Sequence, residues 1–210
     1  MRVSLNTLAA HYIPIDAPPP PAQVMASTLQ TAAELGLRGV DLEDRLFAAT
    51  DSGYLRSVRA QAEGLGLELL ALGVKVDFSI IPTRETMEAE LARARGWLDV
   101  AAELGVPLLR WPGNGARGAA DTAEGAEVWS LIVEKFTRLV AYGASRGVKV
   151  GLHNHNHGAV PSTGRDVLRL LEAVPSLRLI LDVGQFIGSP GASAADPQLP
   201  LAPARPELYE

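Results

Sequence analysis

The chain has 210 residues, 47% of them hydrophobic and 20% charged, which is ordinary globular composition and enough length to bury one sizeable core. A formal net charge of -5 gives no overall basic field to recruit nucleic acid or an anionic membrane, so a small molecule is the expected partner. There is no cysteine, which excludes disulfides, thiolate metal sites and cysteine nucleophiles and leaves any metal to nitrogen and oxygen ligands. Ser4, Asn6, Thr7 and His11 break up the N-terminal apolar run, and no window reaches the length of a membrane span, so a cytoplasmic protein is expected.

Short β-rich runs alternate with longer helical patterns, the signature of βα units around a parallel sheet. The expected strands are Val3 to Leu8, Gly39 to Leu42, Leu67 to Val74, Pro107 to Trp111, Val148 to His153 and Leu177 to Asp182. Ahead of the fourth strand, Met87, Leu91, Ala94, Leu98 and Ala101 recur at helical spacing after a start at Pro82-Thr83. Val128, Ile132, Phe136 and Leu139 repeat the pattern before the fifth strand. Val167, Leu170, Leu171 and Val174 repeat it before the sixth, after a cap at Ser162 or Thr163. Gly36, Gly66, Gly105 and Gly147 each stand between a helix and the next strand, where a left-handed C-cap is wanted.

Such units can close into a barrel or lie open as a doubly wound sheet. No Gly-x-Gly-x-x-Gly follows the first strand, and Gly113-Asn114-Gly115 lacks a phosphate-loop lysine, so a barrel is favoured. Polar groups sit at the carboxyl ends of most strands, where barrel active sites are built: Asn6, Asp41 with Glu43, Lys75 with Asp77, Arg110, His153 with His155, and Asp182. A full barrel needs eight units and typically about 250 residues, which the stretch after Asp182 cannot supply. The expected fold is therefore α/β and TIM-barrel-like, an incomplete barrel of about six βα units in residues 1–187. A Pro-rich, weakly structured tail follows in 188–210. Open edges at the first and sixth strands would favour self-association, so a homo-oligomer is expected.

The run Gly151-Leu152-His153-Asn154-His155-Asn156-His157-Gly158 places imidazoles at every second residue, all on one face if the backbone is extended. Alternate side chains about 7 Å apart suit a nitrogen-ligated metal, and a polar loop is the competing reading, strongest for His157. Asp182 ends an apolar strand and must be paired, metal-bound or a turn aspartate. It comes from the strand after His155, so one cation could bridge the two. Arg110 could bind a phosphate or carboxylate and Trp111 offers a stacking face, with packing as the alternative for both. Glu43 is a candidate general base or substrate contact, with a surface ion pair as its alternative. Asn6, His11 and Asn154 complete the candidate substrate contacts near the strand ends.

Four segments carry a resemblance: ELGLRGVDL (Glu34–Leu42), LGVPLLRW (Leu104–Trp111), GVKVGLHNH (Gly147–His155) and LILDVGQ (Leu179–Gln185). In this order and spacing the sequence resembles the xylose isomerase-like TIM barrel superfamily, in particular the sugar phosphate isomerase/epimerase group. That group also contains endonuclease IV (AP endonuclease family 2), inosose dehydratases and ketose 3-epimerases. The resemblance implies a divalent metal (Mn, Co, Mg or Zn) held by a glutamate at the fifth strand, an aspartate at the sixth, a histidine at the seventh and a glutamate at the eighth. Asp182 matches the second ligand, His153 stands at the glutamate position with a catalytic role carried over, and Gln185 stands where a histidine is frequent. The seventh and eighth ligands have no counterpart.

In the family the metal is expected to chelate adjacent oxygens of a carbohydrate or polyol while two carboxylates move a proton through an enediolate. A chain lacking both carboxylates is expected to fail at two-base epimerisation, as a truncated or degenerate member. A metal-dependent hydrolase, like endonuclease IV or an amidohydrolase, and a noncatalytic carbohydrate-binding protein are the alternatives.

Overall fold

The fold was analysed in a computed structural model, which describes residues 3–7, 20–77, 82–113, 123–155, 161 and 164–182. The elements follow in the order β1 (Ser4–Asn6), α1 (Pro21–Glu34), β2 (Gly39–Glu43), a 3-10 turn (Asp44–Leu46), α2 (Ser52–Gly64), β3 (Glu68–Gly73) and α3 (Arg84–Leu104). After them come β4 (Leu108–Pro112), α4 (Ala123–Ser145), β5 (Lys149–His153), α5 (Gly164–Ala173) and β6 (Arg178–Ile180). The six strands form one sheet in the order β1-β2-β3-β4-β5-β6. The strand pairs with assigned register are parallel, as βα repetition requires. Each strand falls within one or two residues of its expected place, and Asp182 lies just past the end of β6. The tail 188–210 and the candidate cap residues Ser162 and Thr163 lie outside the described residues.

The recurring glycines explain the regularity. Gly36, Gly66, Gly105 and Gly147 have φ of 71°, 70°, 75° and 72°, the left-handed conformation that a side chain disfavours. Each lets the next residue's amide return to a carbonyl five residues back, as in Leu67 N to Ala62 O at 2.9 Å and Val106 N to Ala101 O at 2.8 Å. The following apolar residues Leu67, Val106 and Val148 are buried, so each cap also turns the chain into the sheet. At the other end of α3, Thr83 and Thr86 cap one another. The Thr86 amide donates to Thr83 Oγ1 at 3.1 Å and the Thr83 amide to Thr86 Oγ1 at 2.8 Å.

Contacts divide the chain into two compact units. The first comprises Met1–Lys75, Arg95–Arg110 and Gly143–Lys149. Its core holds Met25, Leu29, Val40, Leu42, Leu55, Leu72, Leu98 and Leu109. The second comprises Val76–Ala94, Trp111–Tyr142 and Val150–Glu210. Met87, Leu91, Trp111, Ile132, Phe136, Leu152 and Leu170 build its core, and the α3 and α4 stripes expected from the sequence supply several of them. Among these apolar residues α3 and α4 also bury an ion pair, Lys135 Nζ to Glu90 Oε2 at 3.2 Å. Burial pushes the Lys135 ammonium below its ordinary range, and Glu90 opposes that shift.

Candidate functional site

In the first unit, Asp41 and Glu43 alternate along β2 and share the face on which Ser4 and Asn6 of β1 lie, since β1 pairs Asn6 with Asp41. Ser4 Oγ donates to Asp41 Oδ2 at 2.9 Å, and the Asn6 side chain hydrogen-bonds to Glu43. Arg110, at the end of β4, donates through Nη2 to Glu43 Oε1 and forms an ion pair with it. Glu43 is 2% exposed, and that burial pushes its carboxyl above the ordinary range, while Arg110 first and Asn6 next pull it back. Asp41 is raised by burial too, against the bond from Ser4 and the charge of Arg110. Glu43 is therefore a buried, paired carboxylate rather than one side of a surface salt bridge.

In the second unit the ends of β5 and β6 bring two donors together. His153 Nε2 lies 3.3 Å from Asp182 Oδ2, and it can donate or accept according to its tautomer. The imidazole is largely buried, whereas the Asp182 side chain is 39% exposed. Asn154 fixes the partner: its Nδ2 donates to the Asp182 carbonyl at 2.8 Å, and the Asp182 amide donates to its Oδ1 at 2.8 Å. That reciprocal pair continues the β5–β6 ladder by one rung made with a side chain. The His155 ring stands edge-on to His153, with centroids 5.7 Å apart. β5 ends at His153, and the Nε2 of this last strand residue meets the Asp182 carboxylate.

The two neighbours on β4 part company. Adjacent strand residues face opposite ways, so Arg110 joins Glu43 while Trp111 is 0% exposed with the Arg93 guanidinium of α3 5.4 Å from its ring centre. Packing accounts for Trp111, although its indole Nε1 is buried without a hydrogen-bond partner among the described residues. Asn154 is likewise 0% exposed, its amide engaged with the backbone of Asp182. His11, His157 and Gln185 lie outside the described residues. Sequence reasoning passed over Gly73, which sits between Glu43 and Arg110 on β3. The available signal was a glycine inside an otherwise apolar strand, which marks a close approach.

A family model, the xylose isomerase-like TIM barrel, matches residues 29–205. The chain belongs to this family. A D-psicose 3-epimerase from Clostridium cellulolyticum, solved with D-tagatose, superposes with a TM-score of 0.68 at 16% identity, over 89% of this chain and 65% of its own. A sugar phosphate isomerase/epimerase from Parabacteroides distasonis gives 0.62 at 17%, over 89% and 66%. A xylose isomerase-like TIM barrel protein from Mycobacterium smegmatis, in complex with magnesium, gives 0.61 at 21%, over 88% and 64%. At these identities the likeness is one of fold, and the chain spans less than two thirds of each relative. No curated protein matches the sequence. Among the described residues no helix is long and apolar enough to cross a membrane.

The family's divalent metal can be tested against these donors. For ligand bonds of about 2.1 Å, two ligands of one ion stand about 3.0 to 3.4 Å apart, which the 3.3 Å between His153 Nε2 and Asp182 Oδ2 satisfies. An imidazole beside a carboxylate is suitable ligand chemistry for Zn, Co or Mn, whereas Mg favours oxygen ligands. They make one edge of a site, and no group of three His, Asp or Glu able to hold a metal occurs among the described residues.

Proposed function

We propose that this chain is a metal-dependent, isomerase- or epimerase-type protein acting on a carbohydrate or polyol, with its reactive centre at the carboxyl ends of β5 and β6. The observation that carries the reading is the His153–Asp182 pair, set at a ligand-to-ligand distance and clamped by Asn154. His153 and Asp182 would hold the ion, which when bound polarises the carbonyl and hydroxyl oxygens of a sugar and acidifies the adjoining C–H. Asn154 keeps the carboxylate facing Nε2 by fixing its backbone on both sides of the peptide. His155, half-buried beside His153, would take and return a proton at a ring nitrogen, as neutral imidazoles do near pH 7. The family membership and the epimerase and isomerase folds it resembles support the substrate class.

A second reading, carbohydrate binding without turnover, is favoured by one observation: the described residues offer two ligands rather than three. Incubation with ketoses and Mn or Co in deuterated water, followed by NMR, separates the two. Deuterium entering the C–H beside the carbonyl, and failing to enter in Asp182→Asn, supports the first reading. Sugar bound without exchange transfers the case to the second, and neither binding nor exchange removes both.

A further inference from the structure

We propose that Gly73 is a positioning residue: its missing side chain is the opening through which Arg110 on β4 reaches over β3 to hold Glu43 on β2. The three residues form one rung, with Glu43 partnered to Gly73 and Gly73 to Arg110. Residues partnered in parallel strands project to the same face, and strands lie about 4.8 Å apart. The carboxylate and the guanidinium must therefore close a gap of about 10 Å directly above the middle residue.

A Cβ built at Gly73 would stand 2.7 Å from Arg110 Nε and 2.7 Å from Glu43 Oε1, and nearer still to Arg110 Nη2. These atoms are the ends of side chains, so a methyl group would be admitted by parting the pair. The backbone gives no separate reason for glycine, because the positive φ values belong to Gly36, Gly66, Gly105 and Gly147 and not to Gly73. The Val74 amide donates to the Arg110 carbonyl at 3.2 Å, which holds β4 beside β3 just where the guanidinium crosses.

The consequence falls on Glu43. Its carboxylate is buried, and the charges and dipoles that act on it are Arg110, Asn6 and Arg45, which favour the anion, and Asp44, which opposes it. Arg110 is the largest of the favourable influences, so parting the pair leaves a carboxylate that takes up a proton more readily. What Glu43 then does for a substrate rests on the functional reading above. How it is held does not, so the two can fail separately.

The test is a double-mutant cycle of thermal unfolding on the full chain with Gly73→Ala, Arg110→Met and the double variant, joined to a carbon-13 NMR titration of the Glu43 carboxyl. Gly73→Ala is expected to lower the unfolding midpoint by about 10 °C in the wild type and by under about 3 °C in the Arg110→Met background. Glu43 is expected to titrate at higher pH in either single variant, and no higher in the double variant than in Arg110→Met alone. Equal midpoint losses in both backgrounds, or an unmoved Glu43 titration in Gly73→Ala, would overturn the proposal. If Gly73→Ala does not fold alone, its recovery in the Arg110→Met background supports the proposal and its continued failure overturns it.

Discussion

The Glu43 cluster and the His153 cluster both arise at the carboxyl ends of parallel strands, yet they satisfy their charges in different ways. Glu43 is 2% exposed and its charge is answered by a guanidinium, an asparagine amide and the room left by Gly73. Asp182 keeps 39% of its side chain open where it meets His153 Nε2, and its position is fixed through the backbone by Asn154. The first arrangement is charge-compensated and closed. The second is fixed in its main chain and keeps part of its carboxylate open to solvent.

The largest effect should come from breaking the compensated pair. Arg110→Met leaves the buried Glu43 carboxylate without its main counter-charge, and loss of one partner of a buried pair costs about 3 to 5 kcal/mol. Its pH dependence has a definite sign. Burial already raises the folded-state pKa of Glu43 above the unfolded value, so the folded chain binds more protons and the charged form costs stability as the pH rises. Removing Arg110 raises that pKa further. The deficit of the variant relative to wild type should be greatest at neutral pH and shrink as the pH falls through the folded-state pKa, which melts between pH 7 and pH 4 would reveal. A deficit independent of pH would mean that the guanidinium acts by packing alone.

A smaller effect is expected from Asn154→Ala, which removes the two bonds that place Asp182 but no ligand atom. Such supporting groups are worth about 10- to 100-fold in metal affinity, or about 1 to 3 kcal/mol. Calorimetric titration of the variant with Mn should show that loss. Affinity equal to wild type would show that Asp182 needs no anchoring and would dissolve the contrast drawn with Glu43.

Some of this was legible in the sequence. The four helix-ending glycines gave away the repeat because a left-handed cap has few other solutions, and the strands fell where apolar runs followed them. The rim residues Asn6, Asp41, Glu43, Arg110, His153 and Asp182 were found by asking which polar groups end strands. What could not be read was register. That Gly73 lies on the rung between Glu43 and Arg110 depends on how neighbouring strands slide past one another, which short parallel strands do not announce. Trp111 and Asn154 were candidates from their places at the ends of β4 and β5, where the sequence left packing open as well. In a strand, adjacency puts Trp111 on the opposite face, and Asn154, one residue past β5, spends its amide on the backbone of Asp182.

The proposed centre makes His153 and Asp182 ligands of one divalent ion. It is tested most directly by titrating Mn into the wild-type chain and into His153→Ala and Asp182→Asn, with binding read by calorimetry and folding checked by circular dichroism. The account predicts one ion per wild-type chain and at least a 100-fold loss of affinity in each folded variant. Equal Mn binding in all three proteins, or none in the wild type, would contradict it.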